Sequence, residues 1–216
     1  MIIAVFPGQG SQTPGFLSPW LELDGATDRL SSFSEAAGVD LAAAGTEWDA
    51  DAIRDTQVAQ PLIVGASLLS YAAFVEAAGT TPAGVAGHSV GELAALAAAG
   101  VLSPVDALTL AGVRGRAMAD AAAQTPTGMS AILGGDEAAV LARLAELDLT
   151  PANHNGAGQI VAAGALPALA VLAEAPVPAT RVIPLQVAGA FHTSYMAPAV
   201  DALREAAASV AVSDPQ

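Results

Sequence analysis

Gly87-His88-Ser89-Val90-Gly91 sets a serine between two glycines, with an apolar run and turn signal (81–86) before it and an Ala-rich stretch (92–99) after it. Strand, sharp turn and helix in that order make a nucleophile elbow. The turn lifts the Ser89 hydroxyl clear of the sheet and leaves backbone N–H groups at a helix N-terminus, where negative charge is stabilised. A hydroxyl is a poor nucleophile at neutral pH and needs a base within hydrogen-bond reach. The chain has three histidines to offer. His88 adjoins Ser89, but its side chain diverges from the serine's around the elbow. His154, between Asn153 and Asn155, reads as a turn or strand residue. His192, ahead of the last helical segment, is the best candidate base. No carboxylate stands out to orient it, since Asp201 lies on the following helix and faces solvent. Acyl chemistry also needs donors for an oxyanion. The Val90 N–H, just after the serine, is one. The glycine-rich turn Pro7-Gly8-Gln9-Gly10-Ser11-Gln12 offers a second at Gln9. Both turns follow strands, at the carboxyl ends where α/β sheets bind ligands.

These residues need elements to hold them. Met1 to Phe6 reads as a buried first strand, because it has no polar alternation. Residues 21–45 read as helix interrupted by loops. Val58 to Ala78 reads as a helix with Pro61 in its first turn and Gly79 as its stop. Gln60 reads there as a cap or a hydrogen-bonded core amide. Ser103 and Pro104 start a helix running to about Ala123. It carries Arg114 and Arg116, whose spacing turns them in different directions, one inward and one to solvent. Beyond Gly128 the pattern becomes strand (129–133), helix (137–147), strand (151–155), strand (159–163), helix (166–173) and strand (181–187). That β-α-β-β-α-β order is the split ferredoxin-like arrangement. It marks 127–188 as a small inserted subdomain, with 1–126 and 189–216 forming the larger one. A final helix runs from Tyr195 to Val210.

Composition narrows the class. The chain has 216 residues, is 53% hydrophobic and carries a net charge of −14. All seven basic residues are arginine. That balance speaks against nucleic acid or an anionic membrane surface as partner. Without cysteine there is no disulfide and no thiolate nucleophile. Met1 to Phe6 is too short and lacks the basic leader of a signal peptide. No uninterrupted apolar run reaches membrane-spanning length. The reading is a cytoplasmic, monomeric protein.

Taken together, six ordered stretches resemble the malonyl-CoA:acyl carrier protein transacylases and the acyltransferase domains of fatty acid and polyketide synthesis. They are Phe6 to Gln12, Val58-Ala59-Gln60-Pro61, Gly87 to Glu92, Val113-Arg114-Gly115-Arg116-Ala117-Met118, Asn153 to Val161, and Ala190-Phe191-His192-Thr193. The resemblance implies an α/β-hydrolase-like parallel-sheet core with the ferredoxin-like insert. It implies ping-pong transfer of a malonyl group from malonyl-CoA to the phosphopantetheine thiol of acyl carrier protein. Ser89 would be the acylated nucleophile, His192 its base, and the Gln9 and Val90 amides the oxyanion hole. Arg114 would bind the malonyl carboxylate; a guanidinium offers two parallel donors matched to it. Phe191 would crowd a methyl branch on the substrate, while Gln60 and His88 would complete the substrate site. No bound cofactor or metal is implied, since phosphopantetheine arrives on the partner.

Members of that family are longer, and the sequence reads as lacking their C-terminal third, including a main-chain carbonyl that holds the base. Coenzyme A and acyl carrier protein are both anionic, so a −14 surface slows encounter. Two other readings use the same residues: a serine hydrolase or thioesterase with water as acceptor, and an inactive truncated remnant.

Overall fold

The computed structural model describes residues 1–216. The chain divides into two compact units, Met1–Ala117 with Ala202–Gln216, and Met118–Asp201.

The first unit is built around one helix. After β1 (Ile3–Phe6) come α1 (Ala26–Ala37), α2 (Leu41–Thr46) and α3 (Thr56–Ala78). Asp55 caps α3 by accepting from the Gln57 N–H at 3.0 Å, and Gly79 ends it in the left-handed region. Every residue from Val58 to Leu69 is buried. A helix apolar all round belongs in the middle of a core, and α1, α2 and α4 (Gly91–Ala98) pack around this one. Alanines at 37, 44, 59, 94, 107 and 111 are buried, and small side chains of this kind let helices approach closely. The helix begins two residues earlier than expected, so Pro61 lies in its second turn rather than its first. α3 has the length and mean hydropathy of a membrane-crossing helix, although Gln60 and Glu76 interrupt its apolar run. Its apolar side chains instead fill the core of this unit.

β1 pairs in parallel with β2 (Gly84–Gly87), Phe6 opposite Gly87. These two strands are the whole parallel sheet. The first strand is therefore not buried as its unbroken apolar run suggested. Val5 is 71% exposed and Ile3 49%, and only Phe6 is enclosed. A continuous apolar run signals burial when both faces and both edges are covered; here β1 has a neighbour on one edge alone. After α8 (Ala197–Ser209), the tail returns to the loop following α4. Ser213 donates its N–H to Val101 O at 3.0 Å, and Gln216 donates to Ala99 O at 2.9 Å.

α5 (Pro104–Gln124) starts on a reciprocal cap. Ser103 Oγ accepts the Asp106 N–H at 3.0 Å and donates to its carboxylate at 2.7 Å.

The second unit holds β3 (Thr127–Gly134), α6 (Glu137–Glu146), β4 (Thr150–His154), β5 (Gln159–Ala165), α7 (Leu166–Glu174) and β6 (Thr180–Pro184). The strands form an antiparallel sheet in the order β4-β5-β3-β6. With one helix after β3 and one after β5, this is the ferredoxin-like arrangement. Ile132, Ile160 and Ala162 of the sheet share a core with Val140 and Leu144 of α6 and Leu169 and Leu172 of α7. β6 is shorter than expected, ending at Pro184 rather than Val187. The expected last helix opens with a 3-10 turn, Ser194–Met196, before α8.

Candidate active site

Parallel pairing of β1 with β2 brings the two turns that follow them side by side. His88 extends the ladder by one bond, its N–H donating to Phe6 O at 3.0 Å. The elbow then doubles back, with the Gly91 N–H on His88 O at 3.0 Å and the Glu92 N–H on Ser89 O at 3.1 Å. Those two amides are used inside the turn. The Val90 N–H, immediately ahead of them, makes no backbone hydrogen bond.

Both glycines flanking the elbow are sterically required. A Cβ at Gly91 would lie 2.4 Å from Phe6 O and 2.6 Å from Pro7 O. One at Gly87 would lie 2.3 Å from backbone atoms of Gly91 and Glu92. The serine itself carries the strain, with φ of 53°, a left-handed conformation costing a side-chain-bearing residue about 1–2 kcal/mol.

A contrast between two glycines tests this geometry. Gly91→Ala drives a methyl into two fixed carbonyls and is expected to cost about 1–3 kcal/mol, lowering the melting temperature by roughly 2–10 °C. At Gly8 the nearest atom is His88 Nδ1 at 2.6 Å, with His88 O at 3.0 Å. The exposed His88 ring can swing aside. Gly8→Ala is therefore expected to lower the melting temperature less than Gly91→Ala, as a thermal melt of both variants will read.

Arg114 projects from α5 toward the elbow. Its Nη2 donates to Ser89 Oγ at 3.2 Å, and its Nη1 to Gln60 Oε1 at 2.6 Å. Gln60, on α3, is 1% exposed. Three of the sequence motifs thus meet at one guanidinium. Burial pulls the Arg114 pKa below its usual value, and the Glu92 carboxylate opposes part of that shift. An arginine keeps its charge throughout the neutral range even so. Arg116, two residues on, donates to Ala37 O at 2.7 Å and satisfies a carbonyl at the end of α1. Arg114 is thus the inward-facing arginine and Arg116 the exposed one, as their spacing suggested.

In the glycine-rich turn, Gln9 donates its side-chain amide to Arg54 O at 3.4 Å and Thr56 Oγ1 at 3.3 Å. Its backbone N–H has no acceptor in the chain.

His192 sits in a second strained turn, with φ of 60°. Two threonines that sequence reasoning passed over hold the residues around it. Thr127, buried at the start of β3, accepts the Ala190 N–H at 3.0 Å. Thr193 donates to Ala190 O at 2.6 Å and accepts the Tyr195 N–H at 3.2 Å. A Thr directly ahead of a helical turn is a capping signal. Phe191 is buried. His154 ends β4, its Nδ1 at 3.6 Å from Glu137 Oε1, both side chains exposed. Nowhere do three His, Asp or Glu side chains gather as a metal site would need.

The chain belongs to the acyl transferase domain family, which it matches over residues 3–216. It is 57% identical over 218 residues to the malonyl CoA-acyl carrier protein transacylase of Mycobacterium bovis, an alignment covering 100% of this chain and 72% of that protein. The crystal structure of MCAT from Mycobacterium tuberculosis is similar at 56% identity and a TM-score of 0.93, with 100% of this chain and 72% of that one covered. A type II PKS acyl-carrier protein in complex with its malonyl-transacylase (PlMCAT:AntF) contains a chain similar at 31% identity and a TM-score of 0.91, covering 99% and 72%. The resemblance drawn from the six motifs therefore holds, and the fold is the expected α/β-hydrolase-like core with a ferredoxin-like subdomain.

Proposed function

We propose that the chain moves a malonyl group from malonyl-CoA to the phosphopantetheine thiol of an acyl carrier protein, through a malonyl ester on Ser89. The observation that carries this reading is the partly buried Arg114 guanidinium, one arm on the serine oxygen at 3.2 Å and the other fixed by Gln60. A partly buried guanidinium beside a nucleophile selects an acyl group that ends in a carboxylate.

In the first half-reaction Ser89 Oγ attacks the thioester carbon while His192 takes the hydroxyl proton. The carbonyl electrons move onto oxygen, and the Gln9 and Val90 N–H groups donate hydrogen bonds to the resulting oxyanion. The oxyanion collapses, the C–S bond breaks, and the coenzyme A sulfur leaves with the proton from His192. In the second half-reaction His192 takes the proton of the carrier thiol. The thiolate attacks the serine ester, and Ser89 leaves with that proton restored. Phe191 narrows the pocket against an α-methyl branch, a discrimination of about 1–3 kcal/mol. His88, exposed beside the Gly8 turn, meets the incoming substrate.

Mixing the protein with malonyl-CoA and a phosphopantetheinylated carrier protein tests the acceptor. Malonyl-carrier, read by mass, is the expected product. Free malonate forming faster would make the protein a hydrolase, and neither product from folded protein would make it an inactive member of the family.

A further inference from the structure

The turn offered as half of the oxyanion hole has little rigidity of its own. Glycines flank Gln9 on both sides, and Gly10 has φ of 107°, which a side-chain-bearing residue rarely adopts. A donor in such a turn is useful only if something outside the turn fixes it. Gln9 is a weak anchor. Its amide contacts are 3.3 and 3.4 Å long, and its Oε1 is buried without a hydrogen-bond partner.

Gln12 makes the shorter connections. Its Oε1 accepts the Gly10 N–H at 2.9 Å, and its Nε2 donates to Ile53 O at 3.1 Å. One side chain thus ties the turn to the 3-10 turn Ala52–Arg54, immediately ahead of the cap of α3. Ile53 is fully buried, so the anchoring carbonyl belongs to a fixed part of the core. The same α3 carries Gln60, which holds Arg114. Oxyanion donor and carboxylate-binding guanidinium are therefore anchored on α3 and on the 3-10 turn that leads into it. Gln12 also occupies the Gly10 N–H, leaving the Gln9 N–H as the neighbouring donor still open.

We infer that Gln12 is a positioning residue for the oxyanion hole, acting through the Gly8–Gly10 turn rather than on substrate. The inference rests on the acyl-transfer reading above. Gln12→Leu removes both hydrogen bonds at similar size. Gln12→Glu keeps the acceptor for Gly10 but replaces the donor with a carboxylate facing Ile53 O. The measurement is single-turnover acylation by malonyl-CoA, followed by intact mass, with KM and the malonyl-to-acetyl ratio alongside.

Gln12→Leu is expected to acylate about ten- to a hundredfold more slowly, with KM within about twofold and the malonyl preference unchanged, because Arg114 is untouched. Gln12→Glu is expected to fall by a smaller factor, and it carries the test alone if the leucine variant does not fold. Wild-type acylation in either folded variant overturns the inference. So does loss of rate, affinity and selectivity together, which marks collapse of the whole site. If the wild-type protein takes up no malonyl group, the acyl-transfer reading itself fails and this inference with it.

Discussion

Ser89→Ala is expected to abolish malonyl transfer, with kcat falling by about 10⁴–10⁶-fold while the protein stays folded. Alanine at 89 keeps the left-handed turn, since serine already carries a Cβ there at φ 53°. The backbone hydrogen bonds of the elbow join His88, Ser89, Gly91 and Glu92, and alanine keeps all of these main-chain groups. What disappears is the acceptor of the Arg114 Nη2 hydrogen bond and the nucleophile itself. His192→Ala is expected to cost a comparable factor, and the double variant about as much as either single one. Groups that act as one unit behave in this non-additive way. Losses that multiply in the double variant would separate the two residues and remove His192 as the base for Ser89.

Arg114→Ala is expected to reverse selectivity rather than merely lower rate. Removing one partner of a buried charge pair costs about 2–5 kcal/mol, so kcat/KM for malonyl-CoA should fall by roughly 30- to 5,000-fold. Acetyl-CoA has no carboxylate to lose a partner. Its rate should change far less, through the 3.2 Å hydrogen bond from Arg114 to Ser89 Oγ alone. Arg114→Lys should not rescue malonyl preference. One ammonium cannot hold Gln60 and a carboxylate in the fixed fork that the guanidinium provides. The ratio of malonyl to acetyl transfer, measured on the same preparation, is the readout. A ratio unchanged in Arg114→Ala would take the residue out of substrate recognition.

The sequence made some of this site readable and hid the rest for physical reasons. The elbow was readable because its steric demands fall on residue type. Only glycine fits where a Cβ would sit 2.3–2.4 Å from backbone, as at Gly87 and Gly91. Spacing alone did not choose between Arg114 and Arg116, and only the family resemblance singled out Arg114, because the difference lies in which helices they face. Arg114 meets Gln60 of α3, while Arg116 meets the end of α1. Gln60 was readable as a hydrogen-bonded core amide, but its partner lies 54 positions away. Gln12 and Thr193 stood in quoted motifs without a role, and Thr127 went unnoticed, because a side chain bonding to a backbone group leaves no periodic pattern. The element order of the ferredoxin-like unit was legible, since its alternation of strand and helix is local, although the end of β6 was not. The burial of β1 was misjudged because a strand's surroundings are a property of the sheet, and this parallel sheet has two strands.

The most direct measurement is the site of acylation. The protein is mixed briefly with malonyl-CoA, quenched in acid, digested and mapped by mass. One malonyl group on the peptide containing Ser89, absent from Ser89→Ala, is the expected result. A folded protein that gains no malonyl group, or gains it on another residue, would contradict the account.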